Sequence, residues 1–325
     1  MPPETLQCPA IGAVAIGRNE GERLVACLRS LAGRVDRVVY VDSGSTDGSI
    51  RAAADLGAEV VQLDLSLPFT AARARNAGFA QLAKHGPPPA FVQFVDGDCE
   101  IVAGWIETAV ARLAADPGLA AVAGRRRELH PHASPYNRLI DAEWATPLGP
   151  ARAIGGDAML RAAALAEIGG YRDDLIAGEE PEMCLRLLRA GWRIERLDAE
   201  MTRHDAALLR FGQWWTRTRR AGHAFAEGAA LHGRGPERHW VAETRRALLW
   251  GAALPAGVLA AMAVTPAAAA LLLAYPLQVA RLSRRMGMER ALFTTLGKFP
   301  EAMGAIEYHL RRTRLGRPRG LIEYK

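Results

Sequence analysis

Through its first 125 residues the chain alternates short apolar runs with amphipathic segments, and that alternation leaves few folds open. IGAVAI (11–16), RVVYVD (37–42), AEVVQL (58–63), AFVQFV (90–95) and LAAVAG (119–124) read as strands. Between the first two, Leu24, Leu28 and Leu31 recur at spacings of four and three, the stripe of a helix. The turn SGSTDGS leads into a helix through about Leu56, and another runs from about Thr70 to His85. Strand–helix alternation with short connections predicts an α/β protein, with a mostly parallel sheet flanked by helices. Such sheets bind ligands beyond the carboxyl ends of their strands. Three of those ends carry polar clusters: Arg18-Asn19-Glu20, Asp42 to Asp47, and Asp96-Gly97-Asp98.

The last cluster is the sharpest. A buried strand that stops at an Asp-x-Asp pair can hold a divalent cation against a diphosphate, because hard carboxylate oxygens suit Mg²⁺ or Mn²⁺. The same tripeptide is also ordinary turn chemistry. At the start of the third helix Arg73 and Arg75 lie close together, and guanidinium forks match phosphate geometry. Gly155-Gly156-Asp157 sets two residues without side chains before a carboxylate, either a close approach to ligand or a turn. Glu179-Glu180-Pro181-Glu182 opens another helix, and acidic residues with proline suit a first turn by themselves. His204 follows a strand expected at 193–197 and is open between a structural and a ligating role. Asn19 and Glu20 would serve as a helix start, and Asp47 caps the helix after it.

Charge divides the chain. From Glu237 to Lys325 there are 14 Lys and Arg against 6 Asp and Glu, whereas the first 236 residues carry 27 against 29. A basic tail suggests an anionic partner. The 34 residues Ala247–Ala280 carry no charge, which favours lipid headgroups over nucleic acid. Pro266 splits this run into two segments, each at or below bilayer-spanning length, with Arg245 and Arg246 before and Arg281, Arg284 and Arg285 after. Basic flanks on both sides place both ends in the cytoplasm, as a hairpin or re-entrant pair; a buried helical hairpin is the alternative. A boundary is expected near 233–240, giving domains 1–236 and 237–325. Trp214, Trp215 and the nearby Arg217, Arg219 and Arg220 could meet a membrane, an acceptor or a diphosphate, or form a solvated basic helix. The N-terminus shows no secretory signal. Cys8, Cys27, Cys99 and Cys184 lack metal-ligand spacing and are expected to be reduced and packed.

In order and spacing, IGRNE (16–20), VVYVDSGSTDGS (38–49), ARARNAGF (72–79), FVDGD (94–98), IGGDAML (154–160), GEEPEMCLRLLRAGW (178–192) and His204 resemble a family 2 glycosyltransferase, an inverting enzyme of GT-A fold. The resemblance spans about residues 11–220. It implies a GT-A-like (Rossmann-like) sheet, and a nucleotide-diphospho-sugar bound by Asn19, Glu20, Asp42, Arg75, Asn76, Asp96, Gly156 and Asp157. It implies Mg²⁺ or Mn²⁺ on Asp96, Asp98 and His204. Inverting transfer needs a carboxylate to take the acceptor proton. The family pattern has Glu-Asp where this chain has Glu179-Glu180, so Glu180 is the expected base and Glu179 its alternate. The expectation is therefore a metal-dependent transferase with a membrane-associated helical tail. It would act on an acceptor glycan or polyprenyl-linked glycan at the cytoplasmic face of the cell membrane, in polysaccharide or cell-envelope glycan synthesis. The alternatives are a sugar nucleotidyltransferase, opposed by the absence of a glycine-rich basic loop after the first strand, and an inactive membrane-bound scaffold.

Overall fold

The computed structural model describes residues 9–84 and 87–315; Cys8, His85 and the arginines beyond 315 lie outside them. The chain forms two compact units, one reaching to Leu175 and including Glu179–Ala207, the other made of Ile176–Gly178 and the chain from Leu208 onward.

The first unit is built on one nine-stranded sheet. Its elements are β1 (Ile11–Gly17), α1 (Glu22–Leu31), β2 (Arg37–Asp42), α2 (Ser49–Asp55), β3 (Glu59–Gln62), α3 (Ala71–Leu82), β4 (Phe91–Asp96), β5 (Cys99–Ile101), α4 (Trp105–Ala115), β6 (Leu119–Glu128), α5 (Pro135–Trp144), β7 (Gly149–Pro150), β8 (Ala158–Arg161), α6 (Ala162–Glu167), α7 (Glu179–Arg189) and β9 (Arg193–His204). The strand order is β3-β2-β1-β4-β8-β6-β9-β5, with β7 also on β9. As expected, β1 to β4 are mutually parallel where they pair, and all end on one edge. The other half corrects the expectation of a mostly parallel sheet. Strand β8 enters antiparallel to both β4 and β6, β5 and β7 run antiparallel to β9, and only β6 and β9 pair in parallel. The reversal follows from the route after β4: a tight turn at Gly97-Asp98 leads directly into β5 with no crossover helix between them, and β8 is reached only after α4, β6 and α5.

Small residues set the depth of the helices on this sheet. A β-carbon at Gly78 of α3 would collide with Val14 of β1 and meet Val41 of β2, and one at Gly12 would strike Leu82 at 2.7 Å. Helix α3 therefore lies close on the strands and buries Ala72, Ala74, Arg75 and Leu82. Its start is fixed by Thr70, whose hydroxyl accepts a hydrogen bond from the Arg73 N–H at 3.1 Å. On α1 the expected stripe of Leu24, Leu28 and Leu31, with Cys27, is buried.

The second unit is helical: α8 (Phe211–His232), α9 (Val241–Leu248), a π turn (Leu249–Ala253), α10 (Leu254–Met262), a 3₁₀ segment (Pro266–Leu273), α11 (Ala274–Met286), α12 (Met288–Leu296) and α13 (Lys298–Leu315). The division between units falls at 207/208 and not at the 236/237 boundary read from composition, because α8 packs on α13. Glycines allow this: a β-carbon on Gly222 or Gly304 would collide with the backbone of Glu301 or Arg219 on the facing helix. Trp214 is buried on Phe293, and Arg219 pairs with Glu307. The two apolar segments expected at 247–265 and 267–280 are broken further. Pro255 lacks an N–H and follows the π turn, while Pro266 starts the 3₁₀ stretch. No helix among the described residues is long and apolar enough to cross a membrane.

Gly304→Val should force α13 off α8 and cost about 1–3 kcal/mol, as overpacking does. Urea denaturation followed by far-UV circular dichroism measures it, and a midpoint equal to that of the wild type would refute the close-contact account.

Candidate active site

The carboxyl edge of the sheet gathers most of the residues singled out above. At its centre is Arg75, entirely buried on the first turns of α3. Its Nη2 lies 2.9 Å from Oδ1 of Asp96, at the end of β4, and its Nη1 lies 2.9 Å from Glu179 and 3.1 Å from Glu180, which open α7. One guanidinium thus binds three carboxylates. A β-carbon on Gly156 would collide with Arg75 and come within 3.0 Å of Glu180, so the glycine admits that cluster.

A second arginine, not anticipated from sequence, holds Asp96 from the other side. Arg126 Nη2 is 3.0 Å from Asp96 Oδ2, and its Nε is 3.2 Å from Asp157. Its guanidinium stacks over the ring of Trp144 at 4.8 Å. Burial would raise the Asp96 pKa, but Arg75 and Arg126 outweigh it and hold the carboxyl below its ordinary value. Glu180 goes the other way. Burial, then the neighbouring Glu179, push it up to about 7 despite Arg75.

Asp98 turns away from Asp96 and joins a different group. His204, the last residue of β9, places Nε2 3.3 Å from Asp98 and Nδ1 3.6 Å from Glu128. Cys99, paired across the sheet with His204, completes a set of three potential metal-ligand atoms within 4.8 Å of one another. Asp96 belongs to another such set, with Cys99 and Asp157. Burial and Arg126 oppose charging of His204, yet its hydrogen bonds to Asp98 and Glu128 leave its pKa above the ordinary histidine value. Glu128 is itself fixed by N–H donors from His130 (3.0 Å), Asn137 (3.2 Å) and Ala206 (3.1 Å). Trp144 packs edge-on against His204 at 4.9 Å.

Two residues expected to touch the donor are committed internally. Asp157 is 1% exposed; it accepts the Asp96 N–H at 3.0 Å and the Thr202 hydroxyl at 2.7 Å, and so braces the end of β4. Asn76 exchanges hydrogen bonds with the Tyr171 backbone and donates to Asp173 at 2.6 Å, tying α3 to the loop after α6. Asp42 is also buried, and receives N–H bonds from Gly44 (2.8 Å) and Ser45 (2.9 Å) and the Tyr40 hydroxyl (3.0 Å). Asn19, at φ 56°, receives the Thr46 N–H at 2.7 Å and stitches the first two strand-end loops together. Glu20 pairs with Arg23 at 2.6 Å just before α1, and Asp47 accepts the Ser49 N–H at the start of α2. Beside Asp42 a pocket of about 310 Å³ opens between Arg18, Ser43, Gly44, Leu63, Phe69 and Arg73. Arg73 supports its rim through bonds to the carbonyls of Asp64, Leu67 and Pro68.

Arg126, Glu128 and Trp144 had readable signals. In the run Arg125-Arg126-Arg127 a strand continuing past Gly124 turns the middle residue opposite to its neighbours. Arg125 and Arg127 indeed pair outside with Asp198 and Asp141. Ser134-Pro135 is a helix start, with Ser134 accepting the Asn137 N–H at 2.9 Å, and α5 then carries Trp144 to the site.

Residues 14–153 match glycosyl transferase family 2. Over those residues the chain resembles a family 2 glycosyltransferase. Pre-mycofactocin glycosyltransferases of Mycobacterium tuberculosis, strains CDC 1551 / Oshkosh and ATCC 25618 / H37Rv, are each 30% identical over 203 residues. That match covers 56% of this chain and 39% of those proteins, so the chain spans well under half their length. Among solved structures, mannosyltransferase PcManGT from Pyrobaculum calidifontis, in complex with GDP-Man and Mn²⁺, superposes with a TM-score of 0.63 at 22% identity. It covers 92% of this chain and 87% of its own, and the likeness is one of fold, GT-A-like.

Replacing Arg75 by Met removes the counter-charge of three carboxylates and should cost about 3–5 kcal/mol. Equilibrium urea unfolding at pH 7.5 measures it (a loss under about 1 kcal/mol would show the cluster to be solvated).

Proposed function

We propose that this chain is an inverting, metal-dependent glycosyltransferase that moves a sugar from a nucleotide-diphospho-sugar to an acceptor hydroxyl. The observation that carries the reading is Glu180, a carboxyl poised at about 7 and tied through Arg75 to Asp96 at the strand edge. A general base works best with its pKa near the working pH. The named relatives support the class: two are glycosyltransferases, and the fold relative is a mannosyltransferase that binds GDP-Man.

In this reading the base and ribose sit in the pocket beside Asp42, and the diphosphate lies across the edge of β4. Asp98 and the Nε2 of His204 would hold Mg²⁺ or Mn²⁺, with Asp96 beside them. The donor set fits, since two buried ligand atoms converge and Glu128 steadies the far side of the imidazole. When bound, the cation supplies charge neutralisation for the departing diphosphate. Glu180 accepts the proton of the acceptor hydroxyl as that oxygen attacks the anomeric carbon. The bond to the diphosphate breaks on the opposite face, and configuration inverts. Arg75 holds Glu180 in place, and Glu179 raises its basicity. The uncharged run and its basic flanks favour a lipid-linked acceptor at the cytoplasmic membrane face, in polysaccharide or cell-envelope glycan synthesis.

Thermal shift with GDP- and UDP-sugars, with and without Mn²⁺, tests the donor site. One nucleotide-sugar should stabilise the wild type only with metal, and an Asp96→Ala/Asp98→Ala variant should lose the effect. A folded protein that responds to no nucleotide-sugar would overturn the reading, and pyrophosphate as product would move it to a nucleotidyltransferase.

The pH dependence has a defined sign. Below about 7 Glu180 holds its proton, so kcat/KM should climb with pH and level off above that value. Glu180→Gln should remove this limb and lower kcat by about 10²–10⁴-fold while donor binding persists. A raised carboxyl pKa also means the fold binds this proton more tightly than the unfolded chain. That contribution to stability is full below 4.5 and is lost as pH rises through about 7. A flat kcat/KM profile from pH 5.5 to 8.5 would assign the base elsewhere.

A further inference from the structure

The second unit exposes apolar surface where its own packing ends. From Leu254 through Leu273, Val258 is the one described residue classed as buried. Val264 is 88% exposed, and Leu259 and Leu277 are each 69% exposed, with Leu271 and Leu273 beside them. Helix α10 and the 3₁₀ segment pack against each other as a hairpin, turning at Ala263–Thr265. Contiguous exposed apolar surface of this kind marks an interaction site.

Three further features identify the partner. The base of the hairpin is closed by aromatic residues with polar tips: the Tyr275 hydroxyl donates to the Trp250 carbonyl at 2.6 Å, and the two rings lie 5.9 Å apart. Such residues gather at the membrane–water boundary. Beyond them stand exposed arginines, Arg245 and Arg246 on α9 and Arg281, Arg284 and Arg285 on α11. Glu243, paired with Arg246, is the acidic residue on those two helices. The limbs are also short. Nine α-helical residues rise about 14 Å, eight 3₁₀ residues about 16 Å, and a hydrocarbon core is about 30 Å thick.

We propose that this hairpin, Leu254–Leu273, inserts into a single leaflet of an anionic membrane and does not cross it, with Trp250 and Tyr275 at the boundary and the arginines on the headgroups. This rests on the reading that the enzyme works at a membrane and adds the mode of attachment. A second copy of the chain would cover the apolar face equally well but would leave two arginine clusters facing each other.

Flotation of the full chain with vesicles tests it, using phosphatidylcholine alone and phosphatidylcholine mixed with phosphatidylglycerol. The wild type should float with the anionic vesicles and at least about tenfold less with the neutral ones. Leu259→Asp/Leu271→Asp should abolish flotation on both. Arg281→Gln/Arg284→Gln/Arg285→Gln should erase the preference while leaving residual binding, with circular dichroism confirming folded protein. A fluorophore on a Val264→Cys variant should be quenched by acyl-chain nitroxides, and the same variant left unlabelled should stay unreactive to an impermeant thiol reagent inside the vesicle. Labelling from inside would overturn the single-leaflet mode. A wild type that stays unbound, or a dimer in solution that Leu259→Asp/Leu271→Asp dissociates without affecting vesicle binding, would overturn the proposal. Thermal shift with nucleotide-sugar on the same proteins separates the two readings, because the hairpin variants keep the donor site.

Discussion

The site depends on one buried guanidinium. Arg75 reaches the end of β4 because α3 lies close to the sheet, and α3 does so because Gly78 faces Val14 and Val41 with no side chain. Taking an arginine out of water is costly unless its charge is matched and its donors are used. Asp96, Glu179 and Glu180 provide the match, from two segments more than 80 residues apart in sequence. The ion cluster is weak evidence for stability compared with an apolar core. What it does fix is the position of α7 relative to the edge of β4. Glycine at 156 is the other half of that arrangement, since any β-carbon there would displace the guanidinium.

Neighbouring carboxylates then acquire different chemistry from their surroundings. Asp96 sits between two arginines and stays an acid of depressed pKa, while Glu180 shares one arginine with Glu179 and is left near neutrality. Asp98 is two residues from Asp96, yet it faces His204. The backbone decides this: Asp96 closes a strand, and Asp98 lies past the turn at Gly97. Arg126 arrives by a similar device. Strand β6 slips its register against β9 between Ala123 and Arg125 and again before Arg126, and such bulges re-aim side chains.

Where local pattern determines structure, the sequence was easy to read. Strands β1, β2 and β4 and the stripe of α1 follow from apolar period alone, and their ends carried Asp42 and Asp96 to the binding edge. Non-local decisions were not readable in the same way. Nothing within 158–161 says that β8 runs against its neighbours, since that depends on the route taken by 97–157. Asp157 and Asn76 look like ligand-binding polar residues in a list of motifs. Only their partners, Asp96 N–H and Thr202 for one and Tyr171 and Asp173 for the other, give them internal bracing roles. The unit boundary was misplaced relative to the packing because composition changes at the apolar tail, whereas α8 is joined to α13 by glycines that leave no mark on hydropathy.

Charge balance explains why such a site calls for a cation. Asp96, Asp98, Glu128, Asp157, Glu179 and Glu180 are linked through ion pairs to Arg75, Arg126 and His204. With Glu180 ionised, these six carboxylates exceed the two arginines by four. In a partly desolvated cleft that excess would repel the diphosphate of the proposed donor strongly, because Coulomb interactions there are several times larger than in water. The two arginines cannot offset it, since each is already held by the carboxylates it neutralises. A divalent ion at Asp98 and His204 would supply positive charge at the end of the cluster away from Arg75, where Glu180 needs none. The same excess keeps Glu180 basic: each uncompensated neighbour raises its pKa, and a base near neutrality is what deprotonation of a hydroxyl requires.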